Sequence, residues 1–172
     1  QRVDALIVAD STCNTASRHP LAAPLTIAAL SAMALSGRER FMQNAAAVTS
    51  PHDDVRQYVL DANEDRTTLE VLQILTSLLD QGLRPEPDYR LPIPTLLVHG
   101  ADDRVGDIVT GSQEWAVRDP MVELVVIPGA GHASNQDNPA AFTAALTAFL
   151  DRALPVPARA SLLGLLDGLR GD

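Results

Sequence analysis

The strongest constraint on the fold is a repeated layout: a short apolar run, a glycine-containing bend, then a helical pattern. The run TLLVHG at 95–100 precedes a helical pattern at 107–118, and VELVVIPG at 122–129 precedes another at 139–153. A third apolar run, DALIVAD, occupies 4–10. Nearly continuous apolar runs are typical of strands covered on both faces. Because strands that alternate with helices form parallel βαβ units, the sequence predicts an α/β fold.

Residues 11–90 interrupt this alternation with helical patterns and no convincing strand. An excursion of this length within a βαβ layout indicates an inserted helical module, and residues 11–90 are therefore named the helical segment. The helices that the patterns predict cover 25–37, part of 53–64, and a stretch from the capping box Thr67–Glu70 to a closing Gly82. The last predicted helix, over 139–153, begins with Asn138 as its N-cap and Pro139 in its first turn.

Charge and composition exclude several classes of protein. The 172 residues carry a net charge of −9, and all 13 cations are arginines without a basic stripe, so we expect no nucleic-acid partner. No apolar run approaches the roughly 20 residues that cross a bilayer, so we expect a cytoplasmic protein without a membrane partner. The lone cysteine, Cys13, excludes an internal disulfide and is better explained as a packed residue than as a nucleophile. Four scattered histidines give no support for a zinc site.

Two chemically complementary side chains follow the second and third predicted strands. Asp103 comes after the Gly100–Ala101 bend, and His132 comes after Gly129 and Gly131. Groups at the carboxyl ends of neighbouring parallel strands converge on one crevice. A carboxylate that holds one imidazole nitrogen fixes the tautomer and stabilises the imidazolium that forms when the other nitrogen takes a proton. We therefore predict that Asp103 and His132 form a catalytic acid–base pair.

These stretches resemble the α/β-hydrolase family. IPTLLVHGADDRVG and VVIPGAGHASNQDNPAAFTAALTAFL are similar to the last two strands and the final helix of that fold. In the family the first stretch carries the triad acid and the second carries the triad histidine, which the resemblance places at Asp103 and His132. QRVDALIVADSTCNTAS resembles the strand that follows the nucleophile-bearing one. The segment HASNQDNPAAF is reminiscent of enol-lactone hydrolases.

The resemblance implies the C-terminal part of an α/β-hydrolase fold, with parallel strands, flanking helices and an inserted helical cap. It divides the chain into a core strand at 1–10, a helical cap at 11–90, a core with the acid and histidine loops at 91–153, and an amphipathic tail at 154–172. The leucines of that tail are expected to form a docked helix or a dimer contact, so a homo-oligomer stays an open alternative.

Two other carboxylates compete for the role of the acid. Asp102 adjoins Asp103 and can exchange roles with it. Asp10 is a rival because some hydrolases carry their acid after the earlier strand, although a role in the turn at that strand end is favoured. For His132 the alternative to catalysis is a turn residue that caps the following helix.

The remaining serines and histidines are given no catalytic role. Ser11 and Ser134 are predicted to be exposed loop serines, and neither is expected to be the nucleophile because neither lies on a nucleophile elbow. His99 falls within a strand pattern and is predicted to be buried and structural. His19 and His52 adjoin prolines in the helical segment and carry no functional signal.

The family's nucleophile elbow has no counterpart here, because no Gly-x-Ser-x-Gly motif occurs in the 172 residues. The resemblance implies that the nucleophile and the oxyanion donors belong to a missing N-terminal half. We therefore expect this chain alone to be inactive. We also expect it to aggregate, to dimerise through an unpaired sheet edge, or to exist only beside that half.

The function implied is a cofactor-free hydrolase that acts on an ester, lactone or similar small acyl substrate through a nucleophile–His–Asp triad. A helical segment rich in leucine, isoleucine, alanine and methionine favours a small apolar acyl or ring moiety. Three alternatives stay open: a haloalkane-dehalogenase-like enzyme with an aspartate nucleophile, a C–C hydrolase that uses the same His/Asp pair, and a non-catalytic hydrolase-like protein that binds ligands.

Overall fold

A computed structural model describes residues 3–11, 22–81, 86 and 88–154. Its three strands, β1 (Leu6–Ala9), β2 (Thr95–Gly100) and β3 (Val122–Ile127), form a parallel sheet in the order β1–β2–β3. In register, Leu6 pairs with Thr95 and Thr95 pairs with Val122. The predicted α/β class is confirmed: β2 spans the whole of its apolar run, whereas β1 and β3 are shorter than theirs. All three carboxyl ends lie at one rim of the sheet.

Seven helices lie among the described residues: α1 (Ala22–Ala34), α2 (Arg38–Thr49), α3 (Asp53–Asp61), α4 (Thr68–Gln81), α5 (Ile108–Arg118), α6 (Ser134–Asp137) and α7 (Pro139–Ala153). The helix predicted over 25–37 instead ends at Ala34, and Gly37, with a φ of 98°, lies directly before α2. Neither α2 nor the four-residue α6 was predicted as an element of its own. The predictions for α3, α4, α5 and α7 are confirmed in position.

Two helix starts depend on the capping residues that the sequence marks. Glu70 Oε2 accepts a hydrogen bond from the Thr67 main-chain N–H at 2.7 Å, and Thr67 Oγ1 accepts one from the Glu70 N–H at 3.2 Å. This reciprocal pair is a capping box, and it satisfies donors that a helix start leaves unpaired. Asn138 Oδ1 accepts from the Ala141 N–H at 3.2 Å, and Pro139 lies in the first turn of α7. Both predicted caps are confirmed.

Strand β2 separates two apolar cores. All six of its residues are buried, and alternate side chains point to opposite faces of the sheet. Leu96 and Val98 pack with Phe149 of α7 on one face, whereas Leu97 packs with Trp115 of α5 on the other. The prediction of strands covered on both faces is met by β2. Strands β1 and β3 also contribute side chains to the clusters on both faces, but they are only partly buried because they form the edges of the described sheet.

The helical segment has a small core of its own. Phe41 and Met42 of α2 pack with Val71 of α4, and all three side chains are buried. None of the described helices is both long and apolar enough to cross a bilayer. The division of the chain into core, cap and tail stays a prediction. Cys13, His19, Gly82 and most of the predicted tail (155–172) lie outside the described residues.

Gly100 lets the end of β2 approach the loop that carries His132. A Cβ atom at this position would lie 2.1 Å from the carbonyl oxygens of both Ala130 and Gly131. Main-chain atoms cannot move aside as a flexible side chain can. Gly100 is therefore required for the close packing of the two loops that hold Asp103 and His132.

Replacing Gly100 by alanine should lower the free energy of unfolding by roughly 3 kcal/mol, the upper range for overpacking in a well-packed interior. Urea-induced unfolding followed by circular dichroism measures this value. Gly106→Ala is the matched control, because nothing lies within 4 Å of a Cβ there. Its only source of destabilisation is the φ of 56°, which should lower the free energy of unfolding by about 1 kcal/mol. Equal losses in the two variants would contradict the close approach at Gly100.

Candidate active site

Three polar side chains follow the three parallel strands at the same rim of the sheet. Asp10 comes directly after β1, Asp103 three residues after β2, and His132 five residues after β3. Because β2 lies between β1 and β3, the loop of Asp103 occupies the centre of this group. The topology therefore brings one imidazole and two carboxylates into one region.

The imidazole of His132 is held by Asp103. His132 Nδ1–H donates to Asp103 Oδ2, with 3.1 Å between the two atoms. The other carboxylate oxygen, Oδ1, accepts from the Val105 main-chain N–H at 2.8 Å. The Asp103 side chain is fully buried, whereas that of His132 is 31% exposed. A buried carboxylate with both oxygens engaged thus orients a ring that still reaches solvent.

The side chain of Asp102 does not hold the imidazole of His132. It is exposed, and its main-chain N–H donates to Ala130 O at 2.8 Å, which joins the two loops. Of the two adjacent acids, Asp103 is the one whose carboxylate contacts the imidazole, as the sequence favoured. The catalytic role of the Asp103–His132 pair stays a prediction.

The electrostatic surroundings favour the protonated form of His132. The hydrogen bond to Asp103 raises the pKa of His132 above its ordinary value, burial opposes this, and the charges of Asp103 and Asp10 raise it further. Since Nδ1 is engaged, Nε2 is the nitrogen left to exchange a proton. Among the described residues no hydrogen bond to Nε2 is found. The arrangement can accept a proton at Nε2 and stabilise the resulting imidazolium.

Asp10 is tied to the histidine loop rather than to the imidazole. Its Oδ2 accepts from Ser134 Oγ at 2.8 Å and from the Ser134 main-chain N–H at 3.1 Å. The residue has a φ of 47°, which fits the predicted turn at the end of β1. Burial raises the pKa of the Asp10 carboxyl, while the hydrogen bonds from Ser134 and the charge of His132 lower it.

The prediction that Ser134 is exposed is wrong: its relative exposure is 0%. A serine can be buried here because Asp10 accepts from both its hydroxyl and its main-chain N–H. Ser11 is exposed, as predicted.

The loop that carries His132 is also held by the helical segment. The Thr49 carbonyl, at the end of α2, accepts from the His132 N–H at 2.7 Å and from the Ala133 N–H at 3.2 Å. His52 Nε2–H donates to the Gly129 carbonyl at 2.8 Å. His52 therefore contacts the loop, although no pattern in the sequence pointed to a role for it.

Asp137 completes these contacts. Its Oδ2 accepts from the Gly131 N–H at 2.6 Å, and its Oδ1 accepts from the Ser50 hydroxyl. Sequence reasoning missed Thr49, Ser50 and Asp137, because no local pattern pairs residues that lie more than 80 positions apart. An acid five residues after His132, in a loop with few charges, was the only available signal.

The other polar candidates lie apart from this group. His99 is 1% exposed, as predicted, and its Nδ1–H donates to the Gly100 carbonyl at 2.8 Å. Within the described part of the chain, no three histidine, cysteine, aspartate or glutamate side chains are arranged to hold a metal ion.

Comparison with a protein-family model gives a match to the alpha/beta hydrolase family over residues 2–146. This range includes all three strands and both loops of the candidate site. No curated protein matches the chain.

Solved structures with a similar fold include esterases and a bromoperoxidase. A thermophilic esterase superposes with a TM-score of 0.61 at 20% identity, covering 87% of this chain and 57% of its own. An esterase from Exiguobacterium antarcticum has a TM-score of 0.68 at 18% identity, and the match covers 86% of this chain and 57% of the esterase. A bromoperoxidase from Bacillus anthracis has a TM-score of 0.63 at 21% identity, and the match covers 87% of this chain and 59% of the bromoperoxidase. The chain spans less than three fifths of the length of these proteins, and at such identities the likeness concerns the fold.

Replacing Asp103 by asparagine should lower the pKa of His132, because the hydrogen bond to Asp103 is the largest contribution that raises it. A pH titration of the histidine ring signals by NMR measures this pKa. Asp102→Asn is the matched control and should leave it unchanged, since the exposed side chain does not contact the imidazole. An equal shift in both variants, or no shift in Asp103→Asn, would refute the assignment of the acid.

The same replacement has a consequence for stability. Because folding raises the pKa of His132, the folded chain binds this proton more tightly than the unfolded chain does. The stabilisation is complete below the unfolded-state pKa of about 6.5 and is lost as the pH rises through the folded-state pKa. The stability advantage of the native chain over Asp103→Asn should therefore shrink across that window.

Proposed function

The chain belongs to the alpha/beta hydrolase family, and we propose that it forms part of a hydrolase acting on an ester, lactone or similar small acyl substrate. The observation that carries this proposal is the 3.1 Å hydrogen bond between His132 Nδ1 and the buried carboxylate of Asp103. This pair has the geometry that a general base needs: one nitrogen fixed by an acid and the other left to exchange protons.

The nucleophile in this proposal comes from a segment outside the 172 residues, which contain no Gly-x-Ser-x-Gly motif. Within the described sheet β1 pairs with β2 alone, so its other edge can accept a further parallel strand. A nucleophile carried at the carboxyl end of such a strand would lie at the rim that holds His132. The limited share of the solved hydrolase structures that the chain covers is consistent with this arrangement.

Catalysis would proceed in two steps, and in each step His132 would take up one proton and then release it. In the first, His132 Nε2 takes the proton of the nucleophile hydroxyl as the oxygen attacks the carbonyl carbon of the substrate. The imidazolium, stabilised by Asp103, then protonates the departing alcohol oxygen as the carbon–oxygen bond breaks. In the second step a water molecule loses its proton to Nε2, attacks the acyl-enzyme, and the nucleophile oxygen regains the proton.

The oxyanion that forms in each step requires N–H donors, and these would come from the same outside segment as the nucleophile. Removing one such donor typically costs about 10²–10³ in rate, so the described residues alone would be a poor catalyst. The proposal needs no metal and no organic cofactor, because every proton transfer is assigned to the Asp103–His132 pair.

His132→Ala should reduce turnover of a short-chain chromogenic ester such as p-nitrophenyl acetate by about 10²–10⁴-fold, the usual contribution of a positioned acid–base group. The assay uses a polypeptide that contains both this chain and the nucleophile segment. Asp102→Asn is the matched control, and it should keep the native rate.

Turnover of the ester by His132→Ala at the native rate would overturn the proposal. If the polypeptide released halide from a haloalkane and did not hydrolyse the ester, the result would indicate that the Asp103–His132 pair belongs to a dehalogenase. Binding of the ester without turnover by the native polypeptide would favour a ligand-binding protein.

A further inference from the structure

A carboxylate outside the Asp103–His132 pair joins the histidine loop to the helical segment. Asp137, the last residue of α6, accepts from the Gly131 N–H at 2.6 Å through Oδ2 and from the Ser50 hydroxyl through Oδ1. Ser50 is 1% exposed and follows directly after α2. Each oxygen of Asp137 is therefore taken by a donor from a different part of the chain, and one donor is the residue before His132.

The last residue of α2 and the residues that lead to α3 contact the main chain around His132. We define the α2–α3 junction as residues 49–52. Its Thr49 carbonyl accepts from the N–H groups of His132 and Ala133, at 2.7 and 3.2 Å. A Cβ atom on Gly131 would lie 2.9 Å from Thr49 O and 3.3 Å from Ser50 Cα. The loop is thus seated directly on the α2–α3 junction.

The opposite side of the loop rests on the end of β2. Asp102 N–H donates to Ala130 O at 2.8 Å, and a Cβ on Gly100 would lie 2.1 Å from Ala130 O. The main chain before His132 is consequently held between β2 and the α2–α3 junction. Loss of the contacts on the junction side would therefore leave this main chain held on one side, by the end of β2 and the residues that follow it.

Placement of this main chain determines whether the imidazole meets Asp103. The position of Nδ1 is set by the Cα–Cβ bond together with the two side-chain torsions, so a shift of the main chain shifts the ring with it. The Nδ1–Oδ2 distance is already 3.1 Å, near the outer range for a good N–H···O hydrogen bond. A displacement of His132 by about 1 Å would weaken this bond, and shifts of that size can cost about 10²-fold in rate.

We propose that Asp137, through Gly131 and Ser50, is a positioning residue for His132, and that the α2–α3 junction thereby couples the helical segment to the general base. The inference rests on the proposed function in so far as it treats His132 as the base. Movement of α2 or α3 would then be transmitted to the imidazole through two hydrogen bonds of Thr49 and one of Ser50.

Asp137→Ala tests the inference in two readouts. The pKa of His132, titrated by NMR in the polypeptide that contains both this chain and the nucleophile segment, should fall, because a displaced imidazole loses the hydrogen bond to Asp103 that raises it. In the polypeptide that carries the nucleophile segment, kcat for p-nitrophenyl acetate should fall by roughly 10²-fold with KM unchanged. A role confined to fold stability would move neither quantity in the folded variant.

Two matched variants sharpen the test. Asp137→Asn should restore most of the native pKa and kcat, because an amide oxygen can accept from Gly131 N–H while the amide nitrogen donates to the Ser50 oxygen. Gln136→Ala, an exposed neighbour in α6, should behave as the native protein does. If Asp137→Ala does not fold, Ser50→Ala removes one of the two bonds and should shift both readouts in the same direction by a smaller amount.

A folded Asp137→Ala or Ser50→Ala chain with the native pKa of His132 and the native kcat would overturn the positioning role. Failure of the proposed function gives a different result. In that case His132→Ala keeps its turnover, while the pKa of His132 in Asp137→Ala still decides whether Asp137 positions the ring.

Discussion

The hydrogen bond between Asp103 and His132 depends on the parallel pairing of β2 with β3. The two residues are 29 positions apart and belong to loops of different strands, yet Nδ1 and Oδ2 lie 3.1 Å from each other. A one-residue slip in register would shift one loop by about 3.3 Å along the strand and separate the two atoms beyond bonding distance. The register that pairs Thr95 with Val122 is therefore a condition for the chemistry as well as for the core.

That register is itself enforced by packing on both faces of β2. Leu96 and Val98 fit against α7, and Leu97 fits against α5, so a slip by one residue would exchange the two sets of side chains. At the rim, Gly100 then permits a main-chain approach that a larger residue would prevent. The same interactions that stabilise the α/β core thus place the carboxylate and the imidazole in one site.

The sequence predicted those parts of the fold that local patterns encode. Apolar runs located β1, β2 and β3, and the residues at Thr67 and Asn138 marked helix starts whose caps the structure confirms. Asp103 and His132 could be paired because parallel topology brings the carboxyl ends of neighbouring strands together, and because the two stretches that hold them resemble the acid and histidine loops of the α/β-hydrolases. Their contact required no knowledge of the intervening helices.

The contacts that sequence reasoning missed are those that depend on tertiary packing. Ser50 and Asp137 are 87 positions apart, and nothing in either local sequence indicates the other. Ser134 was expected to be exposed because it is a loop serine, but the acceptor that allows its burial, Asp10, lies 124 positions earlier. The helical segment therefore contributes to the site through contacts between residues far apart in the chain, and these leave no motif in the sequence.

The tautomer of His132 tests the central claim most directly. In a ¹⁵N-histidine-labelled chain, held at a pH above the pKa of His132, long-range ¹H–¹⁵N spectra distinguish a protonated Nδ1 from a protonated Nε2. A ring held by Asp103 must carry its proton on Nδ1 and leave Nε2 free to accept one. The account predicts the Nδ1–H form, and a dominant Nε2–H form would contradict it.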